Sequence, residues 1–86
     1  MSYRVEITKK AEKQIGRMDK RTAQRIADMI VSLVDDPRPV GCKKLVGDDR
    51  WRVRLGDYRI LYLIEDDVLI VTVVEVAHRR EVYRRK

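Results

Sequence analysis

Apolar and polar residues alternate from Tyr3 to Ile7, with Tyr3, Val5 and Ile7 set against Arg4 and Glu6. That period of two predicts a half-buried first strand. The period then changes. Thr8 has the right chemistry for a helix N-cap, and Ala11, Ile15 and Met18 recur at helical spacing with Lys and Glu between them. Gly16 weakens this helix near its end. A second helix is expected to open on Asp19 or Thr22. Its Ile26, Met29, Ile30, Leu33 and Val34 form the i, i+3, i+4, i+7, i+8 stripe of a core-facing helix. Asp36-Pro37-Arg38-Pro39 stops it, because proline lacks the backbone donor and disfavours a helical residue before it.

Two helices joined by a short link form a hairpin that needs a flat apolar partner. The second half of the chain supplies one. After a loop through Gly41 and Gly47, the segment Trp51-Arg52-Val53-Arg54-Leu55 alternates strictly. Trp51, Val53 and Leu55 take one face, and Arg50, Arg52 and Arg54 the other. Gly56-Asp57 is a two-residue hairpin signal. Tyr58–Ile64 is apolar at almost every position, which predicts a central strand covered on both faces. Glu65-Asp66-Asp67 turns the chain, Val68–Ala77 reads as a long β-branched strand, and residues 78–86 form a polar tail. The order β-α-α-β-β-β-tail predicts a single α+β domain over 1–86: an N-terminal strand, a helical hairpin, then a three-stranded antiparallel meander, giving one small sheet with both helices on one face.

Composition narrows the function. Twenty Lys and Arg against fourteen Asp and Glu leave a net charge of +6, so an anionic partner is expected, nucleic acid above all. The charge is segregated: acid gathers at turns, and base gathers at Lys43-Lys44, on the Arg50–Arg54 row, at Arg59, at Arg79-Arg80 and at the C-terminal end. The single cysteine, Cys42, excludes an internal disulfide and suits a reducing compartment. No apolar signal core follows Met1, and Ile60–Ile64 and Val68–Val74 are too short to span a bilayer. A cytoplasmic protein with no membrane partner is the expectation.

An arginine row on a strand is often only a solvated face that blunts edge-to-edge pairing. Three features argue for more here. Arg50, Arg52 and Arg54 are all of one sign, which costs stability unless an anion occupies the row. Arg59 follows the Gly56-Asp57 turn in a strand otherwise apolar, where a charge is expensive to bury. Arg79 and Arg80 leave the last strand four and three residues before Tyr83. Arginine grips phosphate in a bidentate fork, and tyrosine offers a ring for base stacking. Together they suit single-stranded RNA.

Other residues carry blander readings. His78, alone at a strand end, is more often structural than catalytic and cannot build a metal site by itself. Trp51, Tyr58 and Tyr62 are packing residues, and Lys9, Lys10, Lys13 and Arg17 are the wet side of a helix. No Cys/His cluster, Ser-His-Asp set or glycine-rich phosphate loop occurs. No cofactor and no metal are expected.

The chain resembles the RelE/ParE superfamily of bacterial and archaeal toxins over essentially its whole length. The carriers are Tyr3-Arg4-Val5-Glu6-Ile7 with Lys9-Lys10-Ala11, Pro37-Arg38, Lys44-Leu45-Val46-Gly47, the segment from Trp51 to Tyr62, and His78-Arg79-Arg80-Glu81-Val82-Tyr83. The Gly-Asp-Tyr-Arg core is quite specific, and arginines before Glu-Val-Tyr are specific to the RNA-cleaving branch. The resemblance implies an antiparallel sheet with the first strand beside the last. It also implies a metal-independent endoribonuclease that enters the ribosomal A site and cuts messenger RNA by 2′-hydroxyl attack. On that template Arg59 and Arg79 or Arg80 stabilise the phosphate, and Tyr83 stacks on or orients the nucleotide. Lys43, Lys44, Arg50, Arg52, Arg54 and Arg84 would bind RNA. Implied partners are an acidic, partly disordered RelB-like antitoxin, the ribosome and its messenger, and operator DNA only through the antitoxin complex.

One departure concerns the proton acceptor. Related toxins often carry lysines where this chain has Arg52 and Arg54, and a guanidinium is a poor base. Lys44, His78, Glu81 and Tyr83 are the remaining titratable groups. His78 is favoured by its intrinsic pKa of about 6.5, or else no single base exists and the cleft works by orientation. Two other functions stay open: a ParE-like gyrase poison on the same scaffold, and a non-catalytic RNA-binding or decayed toxin.

Overall fold

The computed structural model describes residues 2–78 and Arg80. The elements run β1 (Arg4–Ile7), α1 (Lys9–Gly16), α2 (Lys20–Ser32), β2 (Lys43–Lys44), β3 (Trp51–Leu55), β4 (Tyr58–Glu65) and β5 (Ile70–His78). Thr8 makes the first switch of period. Its backbone is extended, its hydroxyl accepts the Ala11 N–H at 3.2 Å, and the same hydroxyl donates to the Val74 carbonyl at 3.0 Å. One side chain therefore caps α1 and ties it to β5. Asp19 caps α2 by accepting the Thr22 N–H at 3.2 Å.

The sheet order is β1-β5-β4-β3-β2. β2 to β5 form antiparallel pairs, and β1 pairs with β5 in parallel. The first strand does lie beside the last, but the sheet is mixed and not antiparallel throughout. The helical hairpin between β1 and the meander is the crossover that parallel pairing needs. The two-residue β2 is also an addition to the expected strands, being too short to leave a period in the sequence.

Gly56 turns β3 into β4 with φ of +61°, while Asp57 stays at negative φ. Glycine at the first central position is what this hairpin requires, since its twist matches that of the flanking strands. Farther along, β4 and β5 change register between Leu61 and Tyr62: Leu61 pairs with Glu75, but Tyr62 pairs with Val73. Val74 is thus an extra residue in β5, a β-bulge. It moves the inward set of β5 from Val71 and Val73 to Val76, while Glu75 and Ala77 go to the far side.

The helices cover one face of the sheet. Ala11, Ile26, Ile30 and Leu33 pack against Val53, Ile60, Tyr62, Val71, Val73 and Val76, all buried. The Tyr62 hydroxyl donates to the Pro37 carbonyl at 2.8 Å, so the buried phenol keeps a partner and fixes the loop after α2. α1 runs along the edge of β5 beyond β1, and Gln14 Oε1 accepts the Val76 N–H at 2.7 Å. At the opposite end, Asp66 accepts the Tyr3 hydroxyl at 2.6 Å and both terminal nitrogens of Arg38 at 3.2 and 2.8 Å. That guanidinium lies 4.9 Å from the centroid of the Trp51 ring. Among the described residues no helix is long and apolar enough to cross a membrane.

Candidate nucleic-acid interface

The face opposite α1 and α2 carries the charge. Alternation along β3 and β4 puts Arg52, Arg54, Arg59 and Leu61 there, and pairing extends the rows sideways. One row reads Lys43, Arg52, Leu61, Glu75; the next reads Arg54, Arg59, Ala77. Lys43 and Arg54 are exposed, Arg52 is half-buried and Arg59 retains only 3% of its surface. Like charges directly opposite work against an antiparallel pair, and Arg54 stands directly opposite Arg59. The Nε of Arg52 is buried without a hydrogen-bond partner among the described residues. A cleft of about 320 Å³ lies between Lys43, Arg52, Arg54 and the backbone turn at Val40 and Gly41.

Glu75 is the acid that sequence reasoning passed over. It is 4% exposed, and Lys10 of α1 reaches it at 3.3 Å. A single carboxylate inside a β-branched strand was the available signal, since a buried charge is expensive unless paired. The bulge at Val74 places it on the arginine side.

The remaining expected site residues divide into three groups. Arg50 does not join the row on β3. It precedes the strand, and its guanidinium is held by Asp48 through contacts of 2.7, 3.0 and 3.1 Å. This pairing keeps the Asp48 carboxyl below the usual carboxylate range. Lys44 is the register partner of Trp51 and so belongs to the helix side. His78 also lies on the helix side, opposite Tyr58, with the ring centroids 5.5 Å apart and edge to face at 79°. Arg80 is exposed, and its backbone N–H donates to His78 Nδ1 at 3.3 Å. Arg79, Glu81, Tyr83 and Arg84 lie outside the described residues.

Lys43, Arg52, Arg54 and Arg59 therefore come together, and His78 and Lys44 are separated from them by the thickness of the sheet. Lys43, Arg52 and Arg54 can hold phosphate oxygens, and the buried Arg59 adds positive charge on the same face for charge that develops on phosphorus. None of the three guanidiniums can take a proton at ordinary pH. Among the described residues no group of three or more His, Cys, Asp or Glu is placed to hold a metal.

Comparison with known proteins gives a consistent placement. Residues 5–83 match the family model described as the ParE toxin of the type II toxin–antitoxin system parDE. Toxin RelG of Mycobacterium tuberculosis is 30% identical over 89 residues, covering 99% of this chain and 100% of RelG. In the archaeal RelE–RelB complex from Pyrococcus horikoshii, a chain that is 30% identical superposes with a TM-score of 0.81, over 92% of this chain and 97% of that one. The toxin–antitoxin complex RelBE2 from Mycobacterium tuberculosis contains a chain that is 26% identical with a TM-score of 0.82, over 92% and 100% respectively.

Proposed function

The chain belongs to the RelE/ParE superfamily of type II toxin–antitoxin toxins, on its RelE-like branch, and on that premise we propose that it is a ribosome-dependent endoribonuclease that cuts messenger RNA in the A site. The observation that carries this reading is the direct opposition of Arg54 and Arg59 on the sheet face opposite α1 and α2. Two opposed guanidiniums offer a pair of forks to phosphate oxygens. The ribose 2′-oxygen attacks the adjacent phosphorus, the bond to the 5′-oxygen breaks, and the products are a 2′,3′-cyclic phosphate and a 5′-hydroxyl.

In this reading Arg52, Arg54 and Arg59, joined by Arg79, hold the charge of the pentacoordinate phosphorus, and Lys43 and Arg84 extend the phosphate track. Tyr83 orients the nucleotide by stacking. His78 Nδ1 accepts a hydrogen bond, and the ring stands on the helix side. These two facts favour a cleft without a dedicated base, in which bent RNA is held with its 2′-oxygen in line with the leaving oxygen. The partner is an acidic, partly disordered RelB-like antitoxin that covers the arginine face and carries the pair to operator DNA. The site of action is the cytoplasm, where the ribosomes are.

The test is primer extension on messenger RNA from programmed ribosomes, with end-group analysis of the fragments. Cleavage within the A-site codon with a cyclic phosphate end is expected, and Arg59→Leu should reduce it at least a hundredfold, the scale of one electrostatic donor to the transition state. Intact transcripts on active ribosomes would sink the proposal. The same preparation, assayed with gyrase and supercoiled DNA, covers the second reading that the ParE family model favours: accumulation of cleaved DNA with no effect on translation.

A further inference from the structure

A second surface, on the other side of the sheet, has the makings of a site. Where β5 ends, a cleft of about 700 Å³ opens between the close of α1, the start of α2 and the last strand residues. Tyr58 and His78 line it. The same two residues line a neighbouring cleft of about 430 Å³ that continues along α2 to the Gly56-Asp57 turn. Both rings are half-buried, so each has surface facing the clefts. The His78 ring is oriented twice, by the edge-to-face contact with Tyr58 and by the Arg80 N–H at Nδ1.

The charged groups around these rings are mostly cationic. The exposed Arg17 and Arg80 border the larger cleft, and Arg25 borders the smaller. Two carboxylates also stand on the walls: Asp57 borders the smaller cleft, and Asp19 borders the larger, where it accepts the Thr22 N–H at the head of α2. Two preset rings with guanidiniums at the rim form a combination that answers both parts of a nucleotide: the rings offer stacking surface, and the cations offer forks for phosphate. The volume is ample for one base with its ribose. The arginine face has no comparable ring pair among its described residues.

We infer that this cleft is a nucleotide subsite, in which a base seats against Tyr58 and His78 and its phosphate is held by Arg17 and Arg80. The inference rests on the RNA reading of the chain and extends it. One nucleotide flanking the scissile phosphate passes round the end of β5 to the helix side, while the phosphate itself stays on the arginine side. The bend this imposes would help bring a 2′-oxygen into line. His78 then acts as part of the wall that receives the base.

The experiment is an NMR titration of the isotopically labelled full chain with a 2′-O-methyl trinucleotide, which cannot be cleaved, and in parallel with ribose 5-phosphate. Saturable shifts of the His78 ring and of the Arg17 and Met18 amides are expected, with the trinucleotide binding about tenfold more tightly than ribose 5-phosphate. Tyr58→Leu should remove most of that advantage. Arg17→Gln, a change at an exposed position, should lower the salt dependence of binding by about 0.7 in log–log slope. Shifts confined to Arg52, Arg54 and Arg59, or equal affinity for the two probes, overturn the inference. So does a response at these residues to an acidic, leucine-rich peptide but not to the trinucleotide, which would make the cleft a protein-docking groove. Neither probe needs a ribosome. Binding here by a chain that fails to cleave would reject the proposed activity and keep the subsite, and cleavage without binding here would do the reverse.

Discussion

Arg54 and Arg59 face each other directly across the β3–β4 ladder, the first exposed and the second buried to 3%. Opposed like charges are worth a few tenths to one kcal/mol against an antiparallel pair. Arg54→Thr should therefore raise stability, by about 0.5 kcal/mol in urea unfolding. The same change should weaken RNA binding and lower its log–log salt slope by about 0.7, the share of one phosphate contact to a single strand. A variant that lost stability while keeping its RNA affinity would mean that the pair is structural.

Gln14 closes the edge of β5 where β1 has ended. Its Oε1 accepts the N–H of the fully buried Val76. Gln14→Leu leaves that donor without an acceptor, at a cost of about 1–3 kcal/mol. Urea unfolding should show the loss, and hydrogen exchange at the Val76 amide should quicken more than the global change accounts for.

Tyr62 has no exposed surface, and burial pushes its phenol above the ordinary tyrosine value. Its hydroxyl serves the Pro37 carbonyl. Tyr62→Phe keeps the ring packing and orphans the carbonyl, so a loss of about 1–2 kcal/mol is expected. Tyr62→Leu should cost more, because it also removes packed ring volume. An unchanged Tyr62→Phe variant in calorimetry would show that the hydroxyl contributes nothing.

Asp66 predicts the acid limb of stability. The Arg38 guanidinium, and then the Tyr3 hydroxyl, hold its carboxyl below the usual range. A depressed folded pKa gives stability that is present above the unfolded value of about 3.9 and is lost as pH falls through the folded value. Asp66→Asn should lower the neutral urea midpoint and flatten its fall toward low pH, leaving the part due to Asp19 and Asp48, which are also lowered. Tyr3 shows the opposite sign, with a pKa raised chiefly by its hydrogen bond to Asp66. Its contribution is complete below about pH 10 and disappears as pH rises through the raised value, so Tyr3→Phe should remove an alkaline component.

Much of this fold is legible locally. Thr8 and Asp19 are caps by residue type and position, and Gly56-Asp57 is a turn because glycine supplies a positive φ. The face of β3 follows from strict alternation. What escaped reading is long-range. The orientation of β1 depends on a crossover that no local pattern encodes, and β2 is too short to show a period. Arg50 looks like a member of the row until Asp48, two residues away, takes its guanidinium in a turn. The faces of Glu75, His78 and Lys44 were beyond reach for one shared reason: each is set by pairing register and not by its neighbours in sequence.

Val74 acts on the sheet as an inserted base acts on a reading frame. Everything in β5 beyond it is translated into the opposite face. Without the bulge, with Val74 in strict alternation, the count from Val71 and Val73 would carry on to Glu75 and Ala77 on the helix side, and would send Val76 and His78 out among the arginines. The histidine would then stand where a sequence reader expects a base, and the core would hold a carboxylate in place of a valine. Straightening the bulge with Val74 kept in the ladder would therefore be a frameshift in three dimensions. It leaves every functional residue in the chain and reassigns which of them can meet around one phosphate.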